Sequence, residues 1–130
     1  MKWIDEAGYA CAAGWSGRYS VTLYVSGIRF YKPIFAGDLV EVHARLIHTG
    51  TTSMHIAIDV QAGDPRLRSI SKTTHCIIVF VALDDEGRPA PVPKWEPRTE
   101  EDRALQNHAL RLMELNKVIE TEMQPYLKNP

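Results

Sequence analysis

One acidic side chain near the amino terminus is the strongest candidate for catalysis. Asp5 stands in the segment Trp3-Ile4-Asp5-Glu6, at the start of a predicted helix. A carboxylate there can accept a proton from water or attack an electrophile directly, and amide groups at a helix start can stabilise an oxyanion. The same carboxylate can instead do no more than stabilise the helix terminus. Glu6 points about 100° away around the helix, so we expect it to be solvated.

A second set of residues has the chemistry to bind phosphate groups. Gly50-Thr51-Thr52-Ser53 offers backbone amides and hydroxyls in a predicted turn, and arginine and lysine are frequent phosphate ligands. Each residue is otherwise an ordinary turn residue or a surface charge. The candidates are Arg29, Lys32, Thr51, Thr52, Ser53, Lys72 and Arg88.

Other common chemistries lack their residue patterns in this sequence. The histidines at positions 43, 48, 55, 75 and 108 show no metal-ligand spacing, and no Gly-x-Ser-x-Gly motif is present. His43 and His55 are predicted neighbours on the solvent-facing side of adjacent strands. Cys11 and Cys76 lie far apart in the sequence, so we expect two buried thiols in a reducing compartment. The sequence predicts neither a metal site nor a Ser-His-Asp triad.

Composition limits the class of protein. The chain has 130 residues, of which 45% are hydrophobic and 24% charged, and its formal net charge is −1. This length fits one domain, and the charge shows no basic excess for nucleic acid. The sequence has neither an apolar stretch of about 18 residues that would span a membrane nor a signal-peptide pattern at its start. We therefore expect a cytoplasmic protein without a nucleic-acid or membrane partner.

The elements that must position Asp5 follow from hydrophobic periodicity. Ile4, Ala7, Cys11 and Trp15 recur at helical spacing, and many small residues between them predict close packing against a sheet. Gly17 is the expected stop. Alternation then predicts strands at 21–30, with a bend at Gly27, at 40–46 and at 54–60. A turn is predicted at 48–52. The strand at 71–83 is apolar on both faces and is therefore predicted to be central.

The carboxyl-terminal part changes character. Four prolines between positions 89 and 97 predict an extended arm, and Thr99 is the expected N-cap of a second helix that Pro125 ends. The order of elements predicts an α+β fold, in which one long helix lies on an antiparallel sheet. We assign residues 1–95 to this domain and 96–130 to an arm with an extra helix.

Several short sequence segments together resemble the hotdog-fold acyl-CoA thioesterases, specifically the acyl-CoA hydrolase group. The resemblance covers about residues 1–95. It rests on these segments: Met1-Lys2-Trp3-Ile4-Asp5-Glu6-Ala7, Val21-Thr22, Phe30-x-Lys32-Pro33-Ile34, Gly37-Asp38-Leu39-Val40, Gly50-Thr51-Thr52-Ser53-Met54, Phe80-Val81-Ala82-Leu83-Asp84-x-x-Gly87-Arg88-Pro89 and Pro91-Val92-Pro93.

The resemblance implies a sheet wrapped around one helix and hydrolysis of acyl-CoA to a free acid and coenzyme A. It implies that Asp5 faces the thioester, that the candidate phosphate ligands contact coenzyme A, and that Thr73 and Thr74, which precede the central strand, line the groove for its nucleotide. Coenzyme A would enter as part of the substrate, without a separate cofactor. It also implies homodimers, stacked as a trimer of dimers.

Two features depart from the family pattern. Family members usually have a strand and a glycine-ending loop before this helix, whereas this sequence begins within the helix. Ser26 stands where the family often has an acid. Two alternatives are weighed: a hotdog hydratase, which would need a histidine five residues after Asp5 where this chain has Ala10, and a non-catalytic acyl-CoA-binding or structural subunit.

Overall fold

Four antiparallel strands form one sheet with a helix against each face. The computed structural model describes residues 2–67 and 70–127. The sheet order is β1-β4-β3-β2, and every pairing is antiparallel. The elements are α1 (Lys2–Ser16), β1 (Ser20–Phe30), β2 (Leu39–Thr49), β3 (Ser53–Gly63), β4 (Ser71–Ala82) and α2 (Glu100–Leu127). The predicted α+β layout is confirmed.

The sheet face against α1, here called the inner face, carries the main core. The buried line of α1 runs through Ile4, Gly8 and Ala12. Of the predicted stripe, only Ile4 is therefore buried, whereas Ala7 and Cys11 are half-buried and Trp15 is exposed. The even-numbered side chains of β3 and β4 point to this face because successive strand residues alternate. Those in the core are Met54, Ile56, Ile58, Val60, Cys76, Ile78, Phe80 and Ala82.

The opposite face, here called the outer face, lies beneath α2. Ala109 of α2 packs with Ile47, Ala57 and Ile77 from three different strands, and Leu105 and Leu112 of α2 flank this cluster. Strand β4 therefore has apolar contacts on both sides and lies between β1 and β3. Its prediction as a central strand is confirmed.

The structure contains the bend predicted at Gly27, and it shows a shorter turn than the one predicted at 48–52. Gly27 has φ of 63° and falls within the register shift between Ser26 and Arg29, so the bend predicted there is confirmed. The predicted turn at 48–52 was too long. His48 and Thr49 belong to β2, since they pair with His55 and Met54 across the hairpin.

The segment between β4 and α2 is extended and irregular, as its prolines predicted. The Trp15 indole N–H donates to the Pro93 carbonyl at 2.8 Å, and the Trp95 amide donates to Thr49 Oγ1 at 3.0 Å. The arm thereby connects α1 and β2 to the start of α2. Because the arm fixes that start, it also determines where α2 meets the sheet.

Helix α2 begins as predicted and ends later than predicted. The Asp102 amide donates to Thr99 Oγ1 at 3.0 Å, which is an N-cap hydrogen bond. Arg45 of β2 forms ion pairs with Glu101 and Asp102 and holds the first turn on the sheet. Pro125 lies inside the helix, which extends to Leu127. The expectation that Pro125 ends the helix was wrong, because a helix near its end tolerates the loss of one backbone hydrogen bond.

Candidate active site

Asp5 lies in the first turn of α1, directly after two residues that line an apolar cavity. Ile4 is 6% exposed and anchors this turn on the inner face, which fixes the rotation of the helix and leaves Asp5 exposed beside it. The cavity has a volume of about 180 Å³. Its lining is Trp3, Ile4, Phe30, Ile34, Val42, Val60 and Thr74.

The lining of this cavity suits an apolar group. Most of its side chains are hydrocarbon or aromatic, and Thr74 contributes a hydroxyl. A second cavity of about 410 Å³ shares Phe30, Ile34 and Thr74 with it and adds Lys32. Ligand sites combine an apolar lining with a few placed polar groups in this way. The two adjoining cavities therefore offer an apolar space with a cationic side chain at one border.

The charge of Asp5 acts on the inner face of the sheet. Burial, together with the Asp5 and Asp59 carboxylates, raises the pKa of the Cys76 thiol to about 11. A thiol with this pKa stays protonated at neutral pH and is a poor nucleophile. Cys76 is therefore a core residue, whereas the Asp5 carboxylate is exposed beside the cavity.

The candidate phosphate ligands fall into two groups at opposite ends of the sheet. Lys32 and Thr74 line the cavities near Asp5, and Arg29 pairs with the neighbouring His75. Ser53 pairs instead with Val81 at the far end of β4. Thr74 and Val81 are seven positions apart, which corresponds to about 23 Å along a strand. One chain therefore does not bring these residues into a single site.

The far group contains the hairpin after β2 and the turn after β4. The Thr52 carbonyl accepts the Ala82 amide at 3.1 Å, and the Thr51 carbonyl accepts the Val92 amide at 3.0 Å. Arg88 pairs with Glu86 in the turn after β4. The backbone contacts place Thr51 and Thr52 beside the segment 82–92, which contains Arg88, at the end of β4 opposite to Thr74.

Two of the candidates have partners within the sheet. Lys72 Nζ lies 3.1 Å from Asp59 Oδ1, and Asp59 also accepts from His75 Nδ1 at 2.7 Å. Thr73 is buried and its hydroxyl donates to the Val60 carbonyl at 3.1 Å. The described contacts of Lys72 and Thr73 are therefore with the strand next to β4.

The sequence interpretation missed one site feature and misplaced one histidine. It did not identify Trp3 as a cavity residue, although Trp3 belongs to the same segment as Asp5. The prediction that His43 and His55 are neighbours on a wet face was wrong. His43 pairs with Asp59 and His55 pairs with His48, and His55 is 3% exposed. The alternation along the strands was predicted correctly. Alternation alone does not indicate that α2 covers the outer face, where the His55 side chain lies.

Two further observations concern residues 2–67 and 70–127 only. Within these ranges, no group of three or more His, Cys, Asp or Glu side chains is arranged to hold a metal ion. Neither of the helices found there combines the length and the apolar character needed to cross a membrane.

Comparison with known proteins identifies the family. The family model described as the thioesterase superfamily matches residues 1–69. The acyl-CoA thioester hydrolase of Salmonella typhimurium is 37% identical over 96 residues, which cover 72% of this chain and 72% of that protein. The chain spans just under two thirds, 66%, of the length of the first curated relatives that it matches.

Solved structures agree with this assignment. The acyl-CoA hydrolase of Staphylococcus aureus, determined with butyryl coenzyme A and coenzyme A, is 28% identical, with a TM-score of 0.87 over 98% of this chain and 77% of that chain. A hexameric acyl-CoA thioesterase is 31% identical, with a TM-score of 0.85 over 89% of this chain and 74% of that chain. The predicted hotdog fold is thus confirmed, and this chain belongs to the thioesterase superfamily.

Proposed function

We propose that this protein hydrolyses acyl-CoA thioesters to a free carboxylic acid and coenzyme A, with Asp5 as the catalytic carboxylate. The observation that carries the proposal is the position of Asp5, which follows Trp3 and Ile4 at an apolar cavity in a chain of the thioesterase superfamily. Metal, flavin or nucleotide cofactors have no part in this proposal, and coenzyme A enters as part of the substrate.

The proposed reaction breaks the carbon–sulfur bond of the thioester with one water molecule. As a general base, Asp5 takes a proton from water while the water oxygen bonds to the carbonyl carbon. The tetrahedral intermediate then collapses, the carbon–sulfur bond breaks, and the sulfur receives the proton held by Asp5. As a nucleophile, Asp5 would instead form an anhydride that water cleaves in a second step. Both routes give one acid and one thiol.

The acyl chain is proposed to occupy the cavity beside Asp5, with the pantetheine extending away from it. Lys32 lies on that side and suits the phosphates of coenzyme A by charge, whereas Arg29 pairs with His75, which faces α2 on the outer face. Thr51, Thr52, Ser53 and Arg88 lie near the other end of β4, whose Val81 is about 23 Å along the strand from Thr74. We propose that they contact coenzyme A held by a neighbouring subunit, and that Lys72, Thr73 and Thr74 orient the strand that borders the cavity.

A single subunit leaves Asp5 exposed, so we propose that a second copy completes the site. Strand β1 is an outer strand of the sheet, and antiparallel pairing of two β1 strands would give a twofold homodimer. Such dimers are proposed to assemble further as a trimer of dimers, as the similar hexameric thioesterase suggests. A cytoplasmic location, where acyl-CoA is available, belongs to the same proposal.

The direct test is coenzyme A release from a panel of acyl-CoA substrates by the native protein and by Asp5→Asn. We expect the variant to lose at least about 100-fold in kcat, because a proton acceptor contributes about 10²–10⁴-fold. Glu6→Gln is the matched control and should retain activity, since Glu6 is exposed on another side of α1. Equal activity of native protein and Asp5→Asn would refute the role of Asp5.

The non-catalytic alternative makes a different prediction in the same experiment. An acyl-CoA-binding subunit would bind substrate and release no coenzyme A at any chain length, with or without Asp5. Binding measured by calorimetry alongside the release assay therefore separates the two functions. Label from ¹⁸O water found in Asp5 after a single turnover would identify the anhydride route, because water that attacks the Asp5 carbonyl of the anhydride leaves its oxygen there.

A further inference from the structure

Helix α2 is longer than the sheet that it crosses. Its 28 residues correspond to about 42 Å. Glu101 contacts Arg45 on β2 at 3.0 Å, and Leu112 Cδ1 lies 3.4 Å from where a β-carbon on Gly27 of β1 would be. These contacts are eleven residues apart, or about 16 Å, which is close to three strand spacings. Because β2 and β1 are the two outer strands, α2 has crossed the whole sheet by Leu112.

The remainder of α2, residues 115–126, is here called the overhang. Every side chain from Lys117 to Tyr126 is exposed, so the sheet of the same chain does not cover it. Helices in water gain most of their stability from packing of an apolar face. Three turns of helix without such packing indicate that another surface covers them.

The overhang has an apolar stripe that continues the sheet-packing side of α2. At about 100° per residue, its apolar side chains fall within an arc of about 140° that also contains Leu112. Lys117, Glu120 and Gln124 lie on the opposite side. The apolar members are Leu115 (43% exposed), Val118 (60%), Ile119 (53%), Met123 (46%) and Tyr126 (87%).

The position of the stripe indicates what covers it. It extends past β1 on the side that faces the sheet, so a sheet continued beyond β1 would lie beneath it. Strand β1 pairs with β4 on one side and carries exposed apolar side chains at Val21 and Leu23. A second copy with its β1 antiparallel to this β1 would continue the sheet in that direction.

We propose that the overhang packs on the outer face of a second copy of this chain, across paired β1 strands. By twofold symmetry each subunit contributes one overhang and receives one. The interaction rests on the homodimer of the proposed function and adds to it a specific surface outside the catalytic cavity. A membrane is a poorer occupant, because residues 111–126 carry Arg111 and Lys117 against Glu114, Glu120 and Glu122, whereas helices that bind anionic lipid surfaces have basic polar sides.

The test uses the full chain with the triple substitution Leu115→Gln, Ile119→Gln and Met123→Gln. Glutamine keeps helix propensity while removing the apolar stripe. We expect the dimer dissociation constant, measured by analytical ultracentrifugation over a concentration series, to rise at least tenfold. The matched control is Lys117→Gln, Glu120→Gln and Gln124→Ala on the opposite side, and it should assemble like the native protein. An unchanged dissociation constant in the first variant would overturn the proposal.

Hydrogen exchange of the native protein provides a measurement that needs no variant. We expect the amides of the overhang to be protected in the assembled protein and to lose that protection on dilution to monomer, while the amides of residues 105–112 stay protected. Overhang protection that does not depend on concentration would refute the proposal. So would a native protein that stays monomeric and binds phosphatidylcholine–phosphatidylglycerol vesicles through the stripe. Asp5→Asn should lose activity and assemble normally. Failure of the assembly proposal can therefore be distinguished from failure of the catalytic proposal.

Discussion

At the scale of single residues, His55 shows how the covering helix changes the chemistry of a side chain. Its ring centroid lies 5.2 Å from that of His48, and the Gln106 side-chain amide of α2 donates to His48 Nδ1 at 3.1 Å. Burial, together with the neighbouring His48, lowers the pKa of His55 from 6.5 to about 4. Both imidazoles are therefore neutral in the folded protein at neutral pH.

The lowered pKa of His55 predicts a loss of stability in mild acid. The unfolded chain binds a proton near pH 6.5 and the folded chain only near pH 4, so the free energy of unfolding should fall as pH decreases through that window. The expected contribution of this group is on the order of 3 kcal/mol. Urea titrations from pH 7.5 to 4 measure it.

Substitution separates the role of this histidine from that of other groups. His55→Gln should reduce the change of the free energy of unfolding with pH between pH 6.5 and 4. His43→Gln replaces a side chain that is 61% exposed and should leave this pH dependence unchanged. The same slope in His55→Gln as in the native protein would show that other groups cause the acid sensitivity.

At the scale of elements, the close contact of α1 with the inner face depends on a glycine. A β-carbon on Gly8 would lie 2.9 Å from Phe80 Cε2 and 3.0 Å from Ile58 Cδ1, and both of those side chains are buried in the core. Neither can move aside without disturbing its own packing. The small residue therefore sets the distance between α1 and the sheet.

Two glycine-to-alanine substitutions in α1 should act in opposite directions. Gly8→Ala should lower the free energy of unfolding by about 1–3 kcal/mol through overpacking. Gly14→Ala should raise the free energy of unfolding by about 0.5–1 kcal/mol. An added β-carbon on Gly14 would have no neighbouring atom within 4 Å, and alanine reduces the conformational entropy of the unfolded chain. Urea denaturation of both variants measures this difference. A neutral or stabilising effect of Gly8→Ala would contradict the packing described.

At the scale of the whole molecule, the two helices cover opposite faces of the sheet. Helix α1 covers the inner face and carries Asp5 to the cavity, while α2 covers the outer face and extends past β1. The Arg45 ion pairs fix the direction of α2 at its first turn. The catalytic proposal and the proposed interaction of the overhang therefore concern opposite faces of one sheet.

The exposure of Asp5 in a single subunit predicts that activity depends on assembly. On dilution below the dimer dissociation constant, specific activity should fall in proportion to the dimer fraction, because the completed site is lost. Initial rates over a range of enzyme concentrations, with inert carrier protein to prevent adsorption, measure this effect. Constant specific activity where ultracentrifugation finds monomer would show that one subunit is sufficient.

Much of the fold was predictable because its signals are local. Helical spacing from Ile4 to Trp15, alternation along the strands and the N-cap at Thr99 each depend on residues a few positions apart. The apolar run in β4 predicted a central strand for the same reason. The segment that contains Asp5 carried the resemblance to the family, so the leading candidate residue was found from sequence.

Only the tertiary structure decided which side chains meet. The sequence placed His55 on a solvent-facing side, and docking of α2 some 50 residues later buried it. The sequence analysis treated the candidate phosphate ligands as one set, whereas the sheet places them at two opposite ends. Strand register, not sequence order, decides which strand ends lie near Asp5. Local patterns fix the type of each element, whereas long-range packing fixes the faces they cover and the contacts that their side chains make.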